Sequence, residues 1–182
     1  MKIPKHYSEW VDCLDVVKEG TNDQAVIECM EKGSIEWSRG VAERITQRLY
    51  ETFEHRIKRT SDLLQKDLNR CNGNETEMVK ALLSARKRLA LLKRLAQLEA
   101  FPENVRESLA ASLEEYAKNT QESLEKSALS DRTGRLRMLI KNNAVTKYDE
   151  GGSPLEASAE SQTAGIEKGS AISFRRRRNI LL

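Results

Sequence analysis

Histidine, cysteine and aromatic side chains are scarce in this sequence, and each shortage excludes something. The two histidines, His6 and His55, stand far apart, and the three cysteines, Cys13, Cys29 and Cys71, are odd in number and lack metal-ligand spacing. Thiols of that kind predict a reducing, cytoplasmic setting. Aromatic residues make up 5% of the chain, and none interleaves with its basic runs, so a base-stacking surface for single strands is not indicated. No run approaches the roughly 20 apolar residues needed to cross a bilayer. The first ten residues lack the apolar core of a signal peptide, since Pro4 and Lys5 interrupt them. Phosphate loops, nucleophile elbows and zinc-protease helices are absent. Glu51, Glu54 and His55 invite a carboxylate–histidine metal site, but a bundle di-iron centre needs Glu three residues before His, and Thr52 stands there. No enzymatic activity, cofactor or metal is therefore expected.

Charged residues, by contrast, make up 32% of the chain, and Ala, Leu, Glu, Lys and Arg are abundant. That mixture predicts long amphipathic helices with coiled-coil character. A chain of 182 residues is one domain, or one domain plus a tail. The net charge of +3 hides an alternation along the chain. Residues 1–33 carry four Lys/Arg against seven Asp/Glu, and residues 34–100 carry fourteen against nine. Residues 101–130 carry three against six, and the remainder ten against six. Opposite signs on successive helices favour antiparallel packing and leave two basic zones for a partner.

The most strongly helical stretch is 74–101. Met78, Leu82, Ala85, Leu89, Leu92, Ala96 and Leu98 recur mostly at steps of three or four, which is one helix face. Asn74 and Glu77 form a capping-box pattern, and Phe101-Pro102 is the predicted stop. Two short helices precede it, over 8–18 and 23–32, and form a hairpin that covers one end of the longer helices. Ser8 is the expected cap of the first, with Trp10, Val11, Leu14 and Val17 on its inner face. A long helix follows over 34–70, whose apolar positions Val41, Ile45, Leu49, Phe53 and Ile57 drift around the axis as in a helix wrapped by several neighbours. Trp10 and Trp37 are the expected anchors of the hairpin on the bundle. Another long helix spans 103–130, with Val105, Leu109, Leu113, Leu124 and Leu129 inward, and a short one spans 132–141. Three units result: a hairpin (1–33), a bundle (34–145) and a disordered tail (146–182) too poor in large apolar residues to offset chain entropy.

Three basic clusters are candidate binding sites for phosphate or a partner. In the first, Arg86, Lys87, Arg88, Lys93 and Arg94, two pairs stand seven apart (Arg86 with Lys93, Lys87 with Arg94), so that a row of phosphates could meet them; the same row also reads as the solvated face of a core helix. The second, Arg132, Arg135 and Arg137, with Lys141, sits on a short helix after a turn. That arrangement suits a DNA recognition helix, but the long helix before it suits a capping role better. The third, Arg175, Arg176, Arg177 and Arg178 followed by Ile180, Leu181 and Leu182, ends a flexible tether. It suits nucleic acid, an anionic membrane, nuclear import, a docking peptide or an inert tail.

The sequence thus predicts an all-α antiparallel bundle of three long helices, with short helices at either end and a basic tail. Its leading functional expectation is a non-enzymatic adaptor that binds another protein or self-associates as a dimer. The alternative is a nucleic-acid-binding accessory protein.

Overall fold

A computed structural model describes residues 2–149 apart from Glu36, Trp37 and Arg132, and the side chains of Arg39 and Ser130. The anchoring role expected of Trp37, the tail and its Arg175–Arg178 run lie outside the described residues. Six α-helices follow one another: α1 (Tyr7–Glu19), α2 (Asp23–Glu31), α3 (Arg39–Arg70), α4 (Glu75–Ala96), α5 (Glu103–Ser127) and α6 (Arg135–Asn142). No strand occurs among the described residues. The three long helices α3, α4 and α5 pack on one another, α1 and α2 lie against α3 and α4, and α6 closes onto α4 and α5.

One apolar cluster runs through all of these elements. Its largest members are Trp10 and Leu14 from α1, Ile27 and Met30 from α2, Ile45, Leu49 and Phe53 from α3, Leu82, Leu89 and Leu95 from α4, and Leu109 from α5. The hairpin is therefore part of the core. Trp10 is fully buried and meets Phe101 edge-to-face, with ring centroids 5.5 Å apart and planes at 85°. Its indole N–H donates to the Ser34 carbonyl at 3.3 Å.

The boundaries depart from the sequence reading where tertiary contacts claim the backbone. The cap position of α1 is His6, not Ser8. There the Glu9 carboxylate reaches back to the Lys5 and His6 N–H groups at 2.8 and 3.1 Å, which satisfies donors that the helix leaves open. Val11 is only half-buried. Helix α3 starts at Arg39 and not at Ser34, because the Ser34 N–H donates to the Pro4 carbonyl and its own carbonyl takes Trp10. Helix α4 begins as expected: Asn74 Oδ1 accepts from the Thr76 and Glu77 N–H groups at 3.0 and 3.3 Å. It stops at Ala96, five residues before Phe101. In the turn that follows, the Phe101 N–H donates to the Leu98 carbonyl at 3.1 Å, and both side chains are buried. Between α3 and α4, Asn72 and Gly73 take positive φ of 45° and 82°, the left-handed geometry of a tight reversal.

Three further corrections fall at the carboxy-terminal end. After α5 the chain tightens into a 3₁₀ turn, Ala128–Ser130. Its shorter repeat turns Ala128 inward and leaves Leu129 65% exposed, so Leu129 is not a core residue. Helix α6 starts at Arg135, after Gly134 at φ 69°. The ordered unit also runs past 145: Val145 is buried, Tyr148 packs on the core, and the Val145 N–H donates to Gln121 Oε1 at 2.9 Å.

Candidate interaction surface

The basic row of α4 is where the sequence most strongly placed a phosphate-binding face, and the fold gives most of it internal work. Arg94 makes two hydrogen bonds of 2.9 Å to the Glu31 carboxylate of α2. Those bonds push its pKa up further. Arg88 lies 3.8 Å from Asp67 of α3, and Lys93 pairs with Asp149. Arg86 donates to the Lys147 carbonyl at 2.6 Å. Lys87 is the exposed member of the row. Packed on three sides, α4 points its cations at three different neighbours, and the sevenfold spacing forms no continuous face.

The same logic extends to cations that the sequence reading passed over. Arg48 of α3 pairs with Asp15 of α1. Arg56 pairs with Asp23 at the start of α2, with side chains only 8% and 12% exposed. Arg59 donates to the Glu19 carbonyl at the end of α1. The Arg56 guanidinium lies over Gly20, whose left-handed φ of 73° ends α1, so glycine is needed there for both space and backbone angle. Burial pushes the Asp23 carboxyl above its ordinary range, although Arg56 pulls it down. Burial likewise lowers the Arg56 pKa. Both shifts say that desolvation outweighs the attraction. Thr52, Arg56 and Thr60, all buried, follow one another at steps of four. That polar stripe beside the apolar one could have flagged a buried ion pair in the sequence.

The second cluster has a different setting. Asp131 accepts from the Thr133 N–H and hydroxyl at 2.9 and 2.7 Å and from the Leu136 N–H at 2.8 Å. These bonds, the Thr133 hydroxyl's first, hold its carboxyl below the ordinary range and set the first turn of α6. Ile140 is buried and Leu136 and Leu139 half-buried, so this helix caps the bundle. Its other face is open. Arg135 makes an exposed 3.1 Å pair with Glu75, while Arg137 and Lys141 are exposed, as is Met138, at 61%. The adjoining 3₁₀ turn presents Leu129. Arg132, expected to join them, lies outside the described residues.

Elsewhere the surface has the opposite sign. A groove of about 620 Å³ between α3 and α5 has Tyr50 and Val105 on its floor and Glu43, Glu51 and Glu54 along its rim. Glu51 bonds Gln47 and Arg48 on its own helix. Among the described residues no group of three or more His, Cys, Asp or Glu is placed to hold a metal ion, and no helix is long and apolar enough to cross a membrane. Comparison with protein-family models, curated proteins and solved structures finds no significant match for this chain.

Proposed function

We propose that this chain is a non-enzymatic helical interaction protein. The bundle presents the α5–α6 corner to a protein partner, and the Arg175–Arg178 run written in the sequence provides a second, basic contact. The observation that carries this reading is the exposure of Leu129 and Met138, 65% and 61%, on two elements that touch, with the exposed Arg135, Arg137 and Lys141 on the same helix as Met138. An apolar spot rimmed by charge is the usual surface of a partner site. The reading includes self-association as a dimer, and a cytoplasmic setting supported by the free thiols Cys13, Cys29 and Cys71.

A nucleic-acid accessory role is the competing reading. It rests on the exposed cations of α6 and on the arginine run. Fluorescence anisotropy with labelled duplex and single-stranded oligonucleotides, at low and physiological salt, separates the two. The proposal expects only weak binding that collapses with salt. Sub-micromolar binding that survives physiological salt would replace it with the nucleic-acid reading. Removal of residues 152–182 tests the second contact: partner binding unchanged by that deletion would eliminate it.

A further inference from the structure

Resting on the interaction reading above, we infer that the α5–α6 corner docks an acidic amphipathic helix of another protein, with Leu129 and Met138 as its apolar anchors. Residues 137, 138 and 141 share one helix face by spacing. On it, Met138 stands beside the exposed Arg137 and Lys141, and its flexible thioether suits a surface that accepts apolar side chains of varied shape. The facing segment must supply carboxylates at the rim and leucine-like side chains at the centre, which is an amphipathic acidic helix.

A second copy of the chain fits less well. Its helices α1, α2 and α5 each carry three more carboxylates than cations, but of the large hydrophobics exposed among the described residues only Tyr7, at the first position of α1, lies on any of them, so none offers an apolar row. A duplex fits less well too. Arg135 is already paired with Glu75, and even three cations release few counterions, for a slope of about −2.7 in log affinity against log salt. Leu129 and Met138 would gain nothing against phosphates.

The test titrates full-length protein into a labelled synthetic peptide of roughly five helical turns, with leucines at i, i+3, i+4 and i+7 and glutamate elsewhere. A second peptide carries lysine in place of every glutamate. The expected result is binding of the glutamate peptide alone. It should weaken about tenfold in Leu129→Ala/Met138→Ala and by a similar factor in Arg137→Glu/Lys141→Glu. All four sites are exposed, and circular dichroism confirms that the variants fold. Binding unmoved by both variants assigns the peptide to the Arg175–Arg178 run and overturns the inference. Binding of neither peptide, together with a mass doubling that both variants abolish, assigns the corner to a second copy; it overturns the acidic partner but leaves the interaction reading standing. Displacement of the peptide by a short duplex or by phosphatidylserine vesicles, with the alanine variant binding these as wild type does, overturns it as well.

Discussion

Arg56 shows most clearly how one side chain can be misjudged from sequence. On a long, charge-rich helix it reads as a solvated cation, yet it is 7% exposed and tied to Asp23 across the hairpin. Desolvation makes such a pair a weak source of stability, while loss of one member strands a buried charge. Arg56→Met should therefore cost about 3–5 kcal/mol at neutral pH, read from urea unfolding. Arg56→Met with Asp23→Leu should recover most of that loss. The sign of the pH dependence follows from Asp23, whose folded-state pKa lies above its ordinary value. The folded state then binds the extra proton, so its contribution is largest below the ordinary aspartate pKa and is lost as pH rises through the folded-state value. Arg56→Met raises that value further, and the variant should regain stability on acidification. A double variant as unstable as the single one would show that Arg56 acts through packing over Gly20 instead.

At the scale of single elements, the ends of helices carry the information that periodicity cannot. Asn74 does what its position predicts, whereas Glu77 bonds Lys80 at 2.8 Å instead of closing a capping box. Helix α6 has eight residues, too few to stand alone in water, so its order depends on Asp131 and on the apolar side it lays on α4 and α5. Asp131→Ala should speed amide exchange at Thr133 and Leu136 while leaving α3 and α4 protected. In the unaltered protein the Asp131 pKa is depressed. Its support for α6 is thus complete above the ordinary aspartate pKa and disappears as pH falls through the folded-state value. Equal exchange in variant and parent at neutral pH would remove Asp131 from this role.

Across the whole molecule, a single cluster joins the hairpin to the three long helices. The acidic hairpin also meets basic bundle helices through Asp15, Asp23 and Glu31. The hairpin therefore has no separate stability to lose. Trp10→Ala should cost about 3–5 kcal/mol and lower one shared transition, with near- and far-ultraviolet circular dichroism melting together. Two separated transitions would show the hairpin to be an independent lid.

Much of this architecture was legible in the chain itself. The apolar periods of α3, α4 and α5, the reversal at 71–74 and Pro102 are local signals, and local physics suffices to make three long helices. The alternation of charge foretold that the acidic hairpin would face basic helices. The fate of each cation was not legible, because Arg56, Arg88 and Arg94 look like Lys87 or Arg137 in any window of sequence. Which of them meets a carboxylate and which stays open is set by residues 21–63 positions away. Leu129 departs from expectation for a related reason: the tightened turn at 128–130 decides its exposure, and the helical period that precedes it does not foretell that turn.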